Sequence, residues 1–187
     1  LNLTKLDLSQ CFSLENLDGL ANLTNLTTLC LRMCNSFENI DVLANLTNLS
    51  EFHFPDHRAL EKIANLTSLR TLYLNDCSSL ENMDELVNLI NLTTLDLRDC
   101  FSLENLDGLA NLTNLTTLHL CYCSSLKNVD GLANLTNLTT LYLSYCESLE
   151  HVNGLANLTN LTTLYLYCPS LENVNLLAKL TNLTELH

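Results

Sequence analysis

The chain has 187 residues, enough for one domain of ordinary size. Hydrophobic residues make up 47% of it, which excludes a disordered chain, and its formal net charge of −13 argues against binding nucleic acid or an anionic membrane, because both need a basic face. No apolar run approaches the roughly 20 residues of a membrane helix, so we do not expect membrane insertion.

A leucine-rich unit repeats along the whole chain and predicts its architecture. Most units have 23 residues and read LTTLxLxxCxSLENLDGLANLTN, and we number these positions 1 to 23. The segment Cys11–Leu29 recurs letter for letter as Cys100–Leu118. We expect one domain over residues 1–187, a fragment without the polar end caps that solenoids need. Its eight units begin at Leu3, Leu26, Leu49, Leu69, Leu92, Leu115, Leu138 and Leu161, with a stub from Leu183.

Within each unit the predicted elements follow in a fixed order. The alternating leucines at positions 4 and 6 predict a short strand, and the leucines at positions 12, 15, 18 and 21 fit 3₁₀ or helical turns with one buried face. The Asp at position 16, as in Asp18 and Asp107, is the expected N-cap of that turn. One unit alone cannot offset its ordering entropy, so stability must come from stacking on neighbours.

The third unit, Leu49 to Ser68, departs from this pattern because it is three residues short. It carries Phe52 and Phe54 in place of leucines, and Pro55 just past the predicted strand. We expect a local kink and a shortened convex turn there.

The pattern LxxLxLxxC resembles the leucine-rich-repeat signature in its cysteine variant. The stretch LANLTNL is similar to the repeats of bacterial internalins, and CxSLxxL resembles plant disease-resistance repeats. This resemblance implies an α/β solenoid, a right-handed coil with a parallel β-sheet on its concave face and short 3₁₀ or helical turns on its convex face. It also implies binding of a protein ligand on the concave face.

Positions 5, 7 and 8 vary between units, whereas the Leu, Asn and Thr positions hardly change. Position 5 lies between two inward leucines and should point to solvent, and positions 7 and 8 continue along that strand end. All six tyrosines fall in these columns, where their stiff rings suit an interface, although β-propensity is an alternative explanation. The predicted partner-binding residues are Tyr73, Asp96, Arg98, His119, Tyr122, Tyr142, Tyr145, Tyr165 and Tyr167.

Cysteine occupies position 9 in most units. We favour a ladder of buried, reduced thiols that donate weakly to loop carbonyls, with disulfides and zinc as alternatives. Cys30 and Cys121 lie in variable columns and are the expected reactive thiols. The many thiols, and Asn-Leu-Thr patterns that serve turn hydrogen bonds rather than glycans, favour a reducing cytosol or a bacterial origin, with the bacterial cell surface as the other location.

Chemistry other than binding has little support in the sequence. Asp96, His119 and Cys121 resemble a Cys-His-Asp arrangement only loosely, and we predict no enzyme activity and no cofactor. His151 and His187 fit no pattern. The favoured function is a protein-binding recognition module. The alternatives are a structural protein that self-associates through its uncapped ends and a consensus-like artificial repeat scaffold.

Overall fold

A computed structural model describes residues 2–34, 36–54 and 56–187 of the chain. Within these residues, nine short strands form one parallel sheet in sequence order, which confirms the predicted solenoid. Each strand begins at position 3 of its unit and pairs with the equivalent residues of the next, as Leu95 pairs with Leu118. The strands are β1 (Lys5–Asp7), β2 (Thr28–Cys30), β3 (Glu51–His53), β4 (Thr71–Tyr73), β5 (Thr94–Asp96), β6 (Thr117–His119), β7 (Thr140–Ser144), β8 (Thr163–Tyr167) and β9 (Glu185–Leu186).

The opposite side of the solenoid is built from short helical turns. Seven of them, among the described residues, are 3₁₀ turns: Asp18–Leu20, Asp41–Asn45, Asp84–Asn88, Asp107–Leu109, Asp130–Leu132, Asn153–Asn157 and Asn175–Lys179. The short third unit instead forms the α-helix α1 (Ala59–Ile63). The kink expected at Pro55 lies outside the described residues. No helix in the described part of the chain has both the length and the apolar character to cross a membrane.

The leucines of every complete unit converge on one continuous core. In the unit that begins at Leu115, the buried side chains are Leu115, Leu118, Leu120, Cys123, Leu126, Val129, Leu132 and Leu135. The third unit fills its share of the core with larger rings. Phe52 and Phe54 are fully buried, with ring centroids 5.7 Å apart, and Phe37 of the preceding unit packs 5.6 Å from Phe54. Aromatic rings therefore replace leucines in the part of the core that the short third unit contributes.

Three ladders of side-chain hydrogen bonds join most units to the preceding one. The amide Nδ2 of Asn137 donates to the carbonyl of Thr113 at 2.8 Å, and the hydroxyl of Thr139 donates to the carbonyl of Thr116 at 3.0 Å. The thiol of Cys123 donates to the carbonyl of Leu97 at 3.2 Å. These contacts confirm that the repeated Asn and Thr serve backbone groups and that the thiols bond to carbonyls.

The 3₁₀ turns pack so closely that position 17 requires glycine in three successive units. A Cβ added to Gly108, Gly131 or Gly154 would lie 2.2, 2.2 or 1.9 Å from a carbonyl oxygen of the preceding unit. By contrast, a Cβ at Gly19 would meet nothing within 4 Å. Neighbour stacking, rather than backbone conformation, therefore explains glycine here, since no described glycine has a positive φ.

The expected N-caps are wrong. Asp107 is the first residue of its 3₁₀ turn and its carboxylate caps nothing there. The backbone N–H of Asp107 instead bonds to the side-chain oxygen of Asn105, two residues earlier, at 3.2 Å. The same contact joins Asp41 to Asn39 at 2.9 Å and Asp130 to Asn128 at 3.0 Å. An Asx turn at position 14 thus leads the chain into five of the seven described 3₁₀ turns.

Candidate functional site: a stacked aromatic surface

Position 5 forms a continuous row of stacked rings over the last units. The ring centroids of His119 and Tyr142 are 4.3 Å apart, those of Tyr142 and Tyr165 are 4.7 Å apart, and those of Tyr165 and His187 are 4.4 Å apart. The planes differ by only 5° to 16° because the parallel register places equivalent side chains one strand apart. We call these four residues the inner row.

The prediction missed His187, for which no role was expected. It is position 5 of the stub that begins at Leu183, so the repeat spacing alone would have placed it in the row. Its ring stacks on Tyr165 and is the last ring of the inner row.

A second row of rings lies at or just beyond the carboxyl ends of β6, β7 and β8. Tyr122 and Tyr145 stack with centroids 4.8 Å apart and planes 2° apart, and Tyr167 leans against Tyr145 at 58°. We call these three residues the outer row. All three are well exposed, and Tyr167 is the most open at 58%.

Position 8 does not continue the strand, contrary to expectation. Its residues have positive φ, 65° at Tyr122 and 60° at Tyr145, and the same holds for Asp76 and Asp99. The N–H of Tyr122 still donates to the carbonyl of Ser144 at 2.8 Å, while the chain turns inward towards the buried Cys123. Bulky residues rarely adopt this left-handed conformation, so each tyrosine here is held at a conformational cost of about 1 kcal/mol.

The prediction that position 5 points to solvent is wrong for two residues. Asp96 is only 1% exposed and His53 is also buried. Asp96 lies between Tyr73 and His119 in the sheet register, and the Arg98 side chain lies over it, with Nε 2.9 Å and Nη2 2.6 Å from the carboxylate oxygens. Asp96 therefore anchors Arg98, whose side chain remains 47% exposed to solvent.

Tyr73 stands apart from the other predicted tyrosines. Its ring stacks on His53, with centroids 3.9 Å apart, and the guanidinium carbon of Arg32 lies 5.9 Å from its centroid. Nearby, a depression of about 840 Å³ is lined by polar groups that include Arg32, Asn75, Asp76 and Arg98. This half of the sheet face thus presents mixed charges, whereas the other half presents rings.

Burial changes the acid-base chemistry of the loosely predicted Asp96, His119 and Cys121 trio. Desolvation lowers the pKa of His119, which favours its neutral form, and raises the pKa of the Cys121 thiol. The expectation that Cys121 is a reactive thiol is therefore not supported, because reactivity requires the thiolate. With the Asp96 carboxylate held by Arg98, the geometry does not favour nucleophilic chemistry.

The repeats match the family described as BspA type leucine rich repeat region, in six copies, over residues 4–80 and 97–186. The chain belongs to this BspA-type leucine-rich-repeat family. A comparison with curated proteins gave no match.

Solved structures similar to this BspA-type chain include two internalins from Listeria monocytogenes. Internalin C2 is 29% identical with a TM-score of 0.83, and the alignment covers 98% of this chain and 80% of the internalin. The internalin InlF is 28% identical with a TM-score of 0.75, and the alignment covers 99% of this chain but only 60% of the internalin. The BspA-type chain therefore shares the internalin solenoid, which is a repeat module often used in protein binding.

Proposed function

We propose that this chain is a recognition module that binds a protein through the aromatic surface formed by the inner and outer rows. The observation that carries the proposal is the concentration of exposed, stacked rings on one half of the sheet face. Tyrosine is enriched at interface hot spots because its ring offers a large contact area and its hydroxyl a hydrogen bond.

Preorganisation supports the same function. Stacking fixes Tyr142 between His119 and Tyr165 before any ligand arrives, so little side-chain entropy remains to be lost on binding. Position 8 also accommodates Asp76 and Asp99, which tolerate positive φ better than tyrosine does. The positive φ of Tyr122 and Tyr145 thus lowers the stability of the fold, as strained residues at binding sites often do.

Arg98 would mark one boundary of the proposed interface. Its guanidinium is oriented by the buried Asp96 carboxylate and is half exposed beside His119. An oriented arginine suits a carboxylate or a backbone carbonyl of the partner.

The test compares two double variants as baits in extracts of the source cells. Tyr142→Ala with Tyr165→Ala removes the centre of the inner row. Asn134→Ala with Asn157→Ala changes exposed residues on the turn side of neighbouring units. We expect the wild type and the asparagine variant to retain the same partner, identified by quantitative mass spectrometry, and the tyrosine variant to lose it. Equal retention by both variants, with unchanged circular dichroism, would overturn the proposal.

Self-association is the second candidate, favoured by apolar groups in the outermost units. Val174 and Leu186 are half exposed, and the space beside Gly19 is open. Light scattering against protein concentration distinguishes the two functions. A constant monomer mass supports recognition, and a mass that grows with concentration supports assembly.

A further inference from the structure

The two aromatic rows flank smaller side chains, and we infer a shallow groove between them. Between them lie the position 7 residues Cys121 and Ser144, whose small side chains are half buried. At the next unit, position 7 is Tyr167, whose exposed ring leans against Tyr145 and closes the groove. The groove runs across the strands, along the axis of the solenoid.

The spacing of the rings matches one common chain conformation. Two steps along the inner row advance about 9 Å, and a polyproline II helix repeats every three residues, or about 9.3 Å. An extended β-strand presents the same side about every 6.8 Å and falls out of step with the rings. A polyproline II segment in the groove would therefore present the same side to every second ring.

The hydrogen-bonding groups of the tyrosines also complement those of a polyproline II segment. Because the inner-row rings face one another, their edges and hydroxyls, not their faces, are turned outward. A polyproline II backbone has no internal hydrogen bonds, and prolines lack N–H groups, so such a segment brings carbonyl acceptors in need of donors. Each tyrosine of the two rows brings one hydroxyl donor, among them Tyr142 and Tyr165 in the inner row and Tyr122 and Tyr145 in the outer row.

We propose that this groove binds a proline-rich peptide segment in the polyproline II conformation, carrying arginine or lysine at one flank. The basic flank follows from the net charge of −13 and from exposed Glu147 beside the outer row. This inference rests on the proposed function and names the class of partner that the aromatic surface takes. Aromatic-lined grooves bind such segments because the ligand is already ordered.

The test uses a fluorescent peptide of about nine prolines, or about three helical turns, followed by arginine, with the intact chain and anisotropy as the readout. The control peptide replaces the prolines with alternating Gly and Ser and keeps the length and charge. We expect saturable binding of the proline peptide that is at least about tenfold tighter than binding of the control.

Two variants at position 7 locate the site. Ser144→Tyr fills the floor of the groove with a residue that the next unit already holds at this position, so the fold should tolerate it. Ser9→Tyr makes the same change in the first unit, far from the aromatic rows. We expect Ser144→Tyr to weaken peptide binding at least about tenfold and Ser9→Tyr to leave it unchanged.

The outcomes separate this inference from the proposed function. Equal binding of both peptides, or unchanged binding by Ser144→Tyr, would overturn the polyproline proposal. If the cellular partner is still lost with the Tyr142 and Tyr165 variant, the aromatic surface recognises another kind of protein segment. If that partner is retained, the proposed function itself fails.

Discussion

The guanidinium of Arg98 covers the carboxylate of Asp96, which lies at the sheet surface yet is almost inaccessible to water. Arg98→Ala uncovers that carboxylate and leaves it the backbone N–H of residue 98, at 3.1 Å, as a hydrogen-bond partner. We expect a loss of about 2 kcal/mol in the free energy of unfolding, because the carboxylate loses its charge-assisted bonds to the guanidinium. Urea denaturation followed by circular dichroism measures it.

The chain itself supplies a control for this prediction. In the first unit, Ser9 follows Asp7 at the same spacing, and its hydroxyl donates to that carboxylate at 2.5 Å in addition to its backbone N–H. Arg98→Ser should therefore cost less than Arg98→Ala, since the new hydroxyl can also donate to Asp96. Equal costs for the two variants would contradict a role for hydrogen bonding at residue 98.

Gly131 and Gly19 occupy the same position in near-identical units but differ in their neighbours. A Cβ at Gly131 would lie 2.2 Å from the carbonyl oxygen of Leu106, whereas one at Gly19 has free space. We expect Gly131→Ala to lower the free energy of unfolding by about 3 kcal/mol, because a backbone carbonyl cannot yield cheaply. Gly19→Ala should be neutral or stabilising by about 0.5 kcal/mol. Thermal melts of both variants provide the comparison, and similar losses would refute the stacking explanation.

Asn137 and Asn134 have the same sequence context, Asn-Leu-Thr, but only Asn137 bonds to the preceding unit, through Nδ2 to the Thr113 carbonyl. Asn137→Ala should cost about 1 kcal/mol of stability, and Asn134→Ala much less, since its side chain is exposed. The urea midpoints of the two variants are compared directly. A larger loss at Asn134 would count against the amide ladder.

His119 should make stability depend on pH. Its pKa is lowered in the folded chain, mainly by burial, so the unfolded chain takes up a proton first as the pH falls. Stability is therefore fully present above the unfolded pKa of about 6.5 and is lost as the pH falls through the folded value. His119→Tyr, which continues the ring type of Tyr142, should lose less stability between about pH 7.5 and about pH 5.5. Equal pH dependence in the two proteins would exclude His119 as the source.

The thiols should differ in reactivity by unit position. Burial raises the pKa of Cys100 to about 12 and also raises the pKa of Cys77 and Cys123. Native protein should be alkylated first at the half-buried Cys11, Cys30 and Cys168, because a hydrogen bond with Cys146 also lowers the pKa of Cys168. The buried cysteines should react after unfolding. Peptide mapping by mass spectrometry identifies each site. Early alkylation of Cys123 would show that the units around this buried thiol separate readily.

The sequence predicted most of the fold because the repeat imposes one local solution on every unit. A short strand at the alternating leucines of each unit, the inward leucines and the bonded Asn and Thr side chains all follow from spacing, although most strands run from position 3 to position 5 and do not reach positions 7 and 8. The helical turns were predicted, but the side chain that bonds to the first N–H of the turn was not. Asn105 and Asp107 are both good capping residues, and only coordinates show which side chain meets the N–H.

The candidate site was predicted less completely. Column membership placed Tyr142 and Tyr165 together, yet it could not reveal that Asp96 is buried, which depends on how Arg98 folds back over it. The positive φ of Tyr122 was also hidden, because tyrosine is not a residue that marks such a turn. These features depend on individual side chains rather than on the spacing of the repeat.

The thiol, amide and hydroxyl ladders all donate in one direction, towards the amino-terminal neighbour, as Cys146 does to Leu120 and Asn160 to Thr136. Each unit therefore covers carbonyls of the unit that precedes it, so two neighbouring units cannot separate without losing these bonds. A ligand that contacts Tyr142 and Tyr165 together would hold two successive units at once and would oppose their separation.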